Sequence, residues 1–211
     1  MSDDEKKSQK HRAAMKKQQQ RVAESVAKAQ IDRGVAILLT GDGKGKSTSA
    51  FGMVMRALGY GQKVGIVQFI KGEQLSGEEI YLRDYLPEHL PEHRPQVTLQ
   101  QMATGFTWDT QDRDSDRQAA EQSWQIAAAM LADPSYDVVV LDELTYMFAY
   151  SYLDQQQVIQ AIRDRPRQQS VIVTGRGGGS ALREVMDTIS EIKDIKHAYT
   201  SGIRARIGID Y

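Results

Sequence analysis

The stretch 38–49, LLTGDGKGKSTS, constrains this chain more than any other. An apolar run, Val35 to Leu39, stops abruptly at a loop where glycines alternate with polar residues. The loop closes on Gly45-Lys46-Ser47, and a helix-like segment begins at once. Strand, glycine-rich loop, Lys-Ser and helix in that order is the layout of a phosphate-binding loop. Glycines let successive backbone N–H groups turn into one concavity and let the backbone approach an anion closely. The first turn of the following helix adds unsatisfied N–H groups and a partial positive charge. Lys46 supplies a cation for the terminal phosphates, and the Ser47 hydroxyl can ligate Mg²⁺. The pattern G-x-x-x-x-G-K-[ST] is one residue short, because Thr40 stands where its first glycine belongs and Gly41 follows one place late. That departure implies an altered lie of the polyphosphate; a plain glycine-rich turn is the alternative. Lys44 is a further cation in the loop, either a phosphate contact or a solvated side chain.

The segments around this loop alternate. Val35–Leu39 and Val138–Leu141 are continuous apolar runs, and Val64–Ile70 and Ser170–Thr174 are mostly apolar; all four read as buried strands, covered on both faces. Val97–Met102 is a further strand. Between them the 3.6-residue period predicts helices. One spans Thr48–Leu58, with Ala50, Phe51, Val54, Met55 and Leu58 apolar, and Gly59 or Gly61 ends it. Another spans Asp114–Leu131, with Ala119, Ile126, Ala127, Met130 and Leu131 inward and Asp133-Pro134 as its stop. A third, Asp154–Arg163, places Val158, Ile159 and Ile162 on one face. Shorter helices are expected over Glu78–Leu86 and Ala181–Met186, and a terminal strand or two within Ile189–Ile209. The fold class predicted is α/β, a doubly wound, mostly parallel sheet.

Three further features bear on chemistry. Val138–Leu141 runs into Asp142-Glu143; at the carboxyl end of a parallel strand both acids would sit in the ligand crevice, as Mg²⁺-side carboxylates or as a solvated pair. Ser170–Thr174 ends in Gly175-Arg176-Gly177-Gly178-Gly179, where Arg176 can reach a phosphate or carboxylate, or where the glycines are a flexible connector. The loop ATGFTWD, 103–109, carries Phe106 and Trp108, either core anchors or a wall for a flat ligand. The stretch LPEHLPEHRP, 86–95, reads as a surface loop, since His89 and His93 lack the neighbouring ligands of a metal site.

At 211 residues the chain predicts one main domain over 31–211. Residues 1–30 differ: lysine and arginine outnumber the acids, glycine and proline are absent, and Met15, Val22, Val26 and Ala29 share one helical face. This segment is either a solubilising tail or a basic mobile helix that closes over an anionic ligand, including one on a neighbouring subunit. A net charge of −1 gives no electrostatic case for nucleic acid or an anionic membrane. With no cysteine, disulfides and thiolate chemistry are excluded. No apolar run reaches the length of a membrane span, and the polar N-terminus lacks a secretory core, so a cytoplasmic protein is expected. On these grounds the chain binds a Mg²⁺-nucleotide; whether it hydrolyses, transfers a phosphoryl group or only switches an interaction stays open.

TGDGKGKSTSAFG, VGIVQFIKG, MATGFTWDTQ, VVVLDELTYM, VIVTGRG and KHAYTSGIRARIGIDY together resemble the ATP:corrinoid adenosyltransferases of the cobalamin-biosynthetic type, over most of Arg33–Tyr211. The family's phosphate loop is short by the same residue. Ser47 stands where the family more often has threonine, which keeps the hydroxyl, and 86–95 looks like an insertion. The resemblance implies a P-loop NTPase (RecA-like) sheet and transfer of the 5′-deoxyadenosyl group of ATP to the Co(I) of a reduced corrinoid, with triphosphate leaving. It implies that ATP lies reversed in the loop. Gly41, Asp42, Gly43, Lys44, Gly45, Lys46, Ser47, Thr48 and Arg176 would hold the nucleotide, and Mg²⁺ would sit between Ser47 and Glu143, with Asp142 behind it or sharing it. Phe106 and Trp108 match aromatics that exclude the axial ligand from cobalt. The basic N-terminal segment matches a mobile helix that closes the partner's site in a homodimer, and a flavoprotein is the implied reductant. A conventional ATPase or kinase and an ATP-gated interaction protein are the rivals; neither explains the two aromatics.

Overall fold

Strands that are apolar along their whole length need cover on both faces, and side chains alternating from face to face divide each strand between two cores. The structure, a computed structural model, describes residues 3–70, 75–86, 97–102 and 112–211 and realises this arrangement. The chain divides into two units, Met1–Asp32 and Arg33–Tyr211. The first holds helix α1, Asp3–Lys28, whose Met15, Val22 and Val26 are exposed.

In the second unit the strands are β1 (Ala36–Thr40), β2 (Val64–Gln68), β3 (Val97–Gln101), β4 (Val138–Asp142), β5 (Ser170–Thr174) and β6 (Thr188–Glu191). Among the described residues these six form one sheet in the order β3-β2-β4-β5-β1-β6, with every pairing parallel. All six carboxyl ends therefore share one edge. The helices of this unit are α2 (Lys46–Gly59), α3 (Gly77–Ile80, continued by a π-turn Tyr81–Tyr85), α4 (Arg113–Ala132), α5 (Thr145–Ala149), α6 (Gln155–Asp164) and α7 (Gly179–Glu184). On one face Ala50, Phe51, Val54 and Ala57 of α2 pack on Leu39, Ile66, Val140 and Ile172. On the other, Trp124, Ala127 and Leu131 of α4 and Val158, Ile159 and Ile162 of α6 pack on Leu38, Val67, Leu141 and Val173. Neighbours along one strand, such as Leu38 and Leu39, thus serve opposite cores.

Local chemistry sets the helix ends. Asp112 and Asp154 cap α4 and α6, accepting from Ser115 N–H at 3.2 Å and Gln156 N–H at 2.9 Å. After α2, Gly61 takes φ +78 while its N–H donates to the Leu58 carbonyl, which ends the helix. One expectation is corrected. Ile126 is exposed at 37%, whereas Trp124 is buried at 4%. The buried stripe of α4 runs through Asp116, Ala120, Ser123 and Ala127, and Ile126 falls just beyond its border. Within 189–209 one strand forms, β6; beyond it come a 3₁₀ turn, Tyr199–Ser201, and turns in which Ile195, Ile203, Ile207 and Ile209 are exposed.

The start of β1 is clamped to β6. The Arg33 guanidinium grips Asp187 in a two-pronged pair at 2.5 and 2.8 Å, and Ala36 N–H donates to the same carboxylate at 2.8 Å. The Arg33 hydrogen bonds, with help from Ala36 N–H, hold the Asp187 carboxyl down at about 2, from an ordinary 3.8. A depressed folded-state value means that the clamp's contribution is present in full above the unfolded value. It is lost as pH falls from about 4 towards 2. Asp187→Asn should therefore lower the melting temperature by about a few degrees near neutral pH, and flatten its fall between pH 4 and 2. Thermal melts of both proteins across that window check it.

Candidate active site

The loop after β1 lies at the carboxyl edge of the sheet, and its glycines divide their work. Gly41 has φ +100, and a Cβ there would lie 2.3 Å from the Ile192 carbonyl oxygen. A Cβ on Gly43 would meet the Lys193 backbone at 2.7 Å, and Gly43 N–H donates to the Ile192 carbonyl at 2.8 Å. These two glycines thus admit the chain that follows β6. Gly45, at φ +118 with open space where its Cβ would be, caps the start of α2. Among the described residues no side chain caps that end and no acid lies in the first turn, which suits the end to an anion. Lys46 is half-buried and donates from Nζ to the Gly43 carbonyl at 2.8 Å. Ser47 is half-buried and Thr48 exposed as α2 begins. Lys44 pairs with Asp210 at 2.9 Å, a contact the sequence did not suggest.

The two acids separate. Asp142, the last residue of β4, is buried; its Oδ1 accepts from the Thr174 hydroxyl at 2.6 Å and its Oδ2 from Gln68 Nε2 at 3.1 Å. Glu143 is half-buried and turns out of the strand with φ +57 while its N–H donates to Thr174 Oγ1 at 2.8 Å. Lys46 reports the neighbourhood. Burial first, and Arg176 second, lower its pKa, while Glu143, Asp42 and Asp142 act the other way. Burial first and Glu143 next push up the Tyr146 hydroxyl. Lys46, Glu143, Arg176, Asp42 and Asp142 therefore share one electrostatic site. Tyr146 belongs to it as well; its place in LDELTY, three residues after Glu143, was the only sequence signal for it.

The glycine turn after β5 is pinned. Thr145 Oγ1 donates to the Arg176 carbonyl at 2.8 Å, Thr40 Oγ1 to Gly177 at 3.2 Å, and Gln155 Nε2 to Gly178 at 3.1 Å. Gly175 (φ +138) has no room for a side chain, since a Cβ would lie 2.0 Å from Thr145 Oγ1. The exposed Arg176 guanidinium reaches Asp42 at 3.8 Å, across the mouth of the loop. Phe106, Trp108, His89 and His93 lie outside the described residues.

Among the described residues no group of three or more acids or histidines converges on one point. Oxygen donors at this edge include the Ser47 hydroxyl, at the start of α2, and the Glu143 carboxylate, just after β4. Both are hard oxygen ligands, and few in number, which fits Mg²⁺ shared with substrate phosphates. The set does not fit a metal caged by protein alone.

Residues 32–211 match the family model described as ATP:corrinoid adenosyltransferase BtuR/CobO/CobP. The corrinoid adenosyltransferase of Escherichia coli K12 is 52% identical over 197 residues, 92% of this chain and 95% of that protein. Corrinoid adenosyltransferase CobA of Salmonella typhimurium is 48% identical, over 96% of this chain and 98% of its own length. The corrinoid adenosyltransferase of Pseudomonas aeruginosa is 45% identical over the whole of both chains.

Proposed function

The chain belongs to the ATP:corrinoid adenosyltransferase family, and from that premise we propose how its carboxyl-edge site runs the transfer. The protein is a transferase whose substrates are ATP and a corrinoid, and it moves the adenosyl group from the first to the second. In the reading proposed here the Co(I) of the reduced corrinoid attacks the ribose C5′. A cobalt–carbon bond forms as the C5′–O bond breaks, and the electron pair leaves with triphosphate. Because the nucleophile belongs to the substrate, the protein needs no general base; it must align C5′ and neutralise the departing polyphosphate.

The observation that carries this reading is that Lys46, at the start of α2 beside the open Gly45 turn, feels the charges of Arg176, Glu143 and Asp42 together, with Arg176 reaching Asp42 at 3.8 Å. Two cations and an uncapped helix end are an anion site; a lone acid beside them suits a bridging metal. Ser47 and Glu143 would hold Mg²⁺, which would supply charge to the triphosphate when bound. With both oxygens already accepting hydrogen bonds, Asp142 orients the edge from behind. Gly41, Asp42, Gly43, Lys44 and Thr48 line the same loop; Lys44 would have to leave Asp210 to touch phosphate.

Phe106 and Trp108 are proposed as the water-excluding wall against the corrinoid. Residues 1–30 are proposed as the flap, with Met15, Val22 and Val26 as its apolar stripe, closing the site of the other subunit in a homodimer. A cytoplasmic flavoprotein reductant completes the reading, and no described helix is long and apolar enough to cross a membrane. The test is direct. Protein, ATP, Mg²⁺ and chemically reduced corrinoid should give the spectrum of a new cobalt–carbon bond and inorganic triphosphate in equal amounts. ADP and phosphate without the spectral change would favour a conventional ATPase or kinase instead.

A further inference from the structure

A row of polar side chains crosses the carboxyl edge where apolar residues would be the simpler choice. Gln101, Gln68, Asp142 and Thr174 are the last residues of neighbouring strands β3, β2, β4 and β5. The Thr174 hydroxyl spends its one hydrogen on Asp142, so its lone pairs are left to accept the Glu143 N–H. Gln68 Nε2 donates to the other oxygen of Asp142, and its Oε1 accepts from Gln101 Nε2 at 3.2 Å. The same Gln101 amide donates to Glu79, whose second oxygen accepts from Ser76 N–H at 2.5 Å. Gln68 and Thr174 are 0% exposed, Glu79 1% and Asp142 3%. The two carboxylates, Glu79 and Asp142, only accept, and the amides, the hydroxyl and the backbone N–H groups on either side donate towards them, so the row is connected from Ser76 to Glu143. Buried polar groups are costly unless paired, and a fully paired row fixes its members in one arrangement.

The member at the end of that row is in an unusual state. Glu143 takes φ +57, a conformation that residues with side chains rarely adopt, and its charge acts on Lys46 of the phosphate loop. Nothing in a strand-end sequence requires it; the bond to Thr174 supplies the restraint. We propose that Thr174 is a positioning residue: held by Asp142 and Gln68, it locks the Glu143 backbone turned so that the carboxylate meets magnesium-bound polyphosphate. The inference rests on the reading of Glu143 as the magnesium-side acid and adds how that acid is aimed.

The test is calorimetry of ATP binding to the full chain, without corrinoid, in magnesium and in chelator. In the unaltered protein magnesium should tighten ATP. Thr174→Val, of equal shape but without the hydroxyl, should lose about 10-fold or more of that tightening and keep its affinity in chelator. Thr174→Ser, which restores both bonds, should recover it to within about three-fold. Should Thr174→Val fail to fold, Gln68→Met gives the second arm, because it removes the donor to Asp142 and leaves the hydroxyl in place. It should lose part of the magnesium effect. Full magnesium tightening in Thr174→Val, or in Gln68→Met where that arm is used, overturns the proposal. No magnesium effect in the unaltered protein overturns the reading of Glu143 itself and takes this inference with it.

Discussion

Lys46→Met lowers kcat/KM for ATP by about 10²–10³-fold, or roughly 3–4 kcal/mol of transition-state stabilisation. Among the described residues the Lys46 ammonium donates one hydrogen bond, to the Gly43 carbonyl of its own loop. Partial burial and the Arg176 guanidinium both work against its charge. A cation held in that way is stabilised strongly by an anion placed beside it. The departing triphosphate gains charge as the C5′–O bond breaks, so the benefit is larger at the transition state than in the bound ground state. kcat should therefore fall along with ATP affinity, and inorganic triphosphate should bind more weakly as a product inhibitor. Methionine keeps the length and apolar stem, so the fold should survive, which a thermal melt checks. Lys46→Arg should recover little, because a planar fork cannot repeat a point charge bonded to Gly43. A loss of less than about three-fold in kcat/KM would mean that the polyphosphate lies elsewhere.

The features legible in the chain were those in which neighbouring residues act together. Mainly apolar runs marked the strands of the sheet interior, because cover on both faces favours apolar side chains everywhere but at the carboxyl ends. The expected helix starts, Asp114 and Asp154, fall within two residues of the observed caps, Asp112 and Asp154, because capping is a contact between near neighbours. What sequence could not supply was contact between distant residues. Ile126 and Trp124 lie two positions apart on α4, and only the sheet beneath decides that the tryptophan goes inward. The Asp142-Glu143 pair looks symmetrical as text. Gln68 and Thr174, from two other strands, make one of them a buried brace and turn the other outward. Lys44 has no partner within its own segment and finds one in Asp210. The glycines after β5 suggested either a phosphate turn or a slack connector, and the three side chains that pin the turn come from β1, α5 and α6.

The same limit governs the loop glycines, and it yields a prediction that separates them. Gly41→Ala should destabilise the protein even with no nucleotide present. Its Cβ would lie 2.3 Å from the Ile192 oxygen and 2.9 Å from the Ile192 nitrogen, both backbone atoms that cannot swing aside. That segment is bonded to the loop from two sides, Ile192 N–H to the Thr40 carbonyl and Gly43 N–H to the Ile192 carbonyl, each at 2.8 Å. Relieving the clash therefore pulls β6 away from β1, where Thr40 is in register with Glu191. Overpacking against backbone and the positive φ together cost about 3 kcal/mol or more. For a chain of this length that is a fall of roughly 6–12 °C in melting temperature. Gly45→Ala meets nothing within 4 Å and carries only the φ penalty, about 1–2 kcal/mol and roughly 2–8 °C. Its methyl group instead projects at the uncapped start of α2, so its larger effect should be on ATP binding. Melts without nucleotide, followed by ATP titrations of whichever variants stay folded, measure both. Equal melting temperatures for the two variants would mean that the Ile192 strand tail yields easily. In that case the short spacing of this loop owes more to the nucleotide than to the chain that packs behind it.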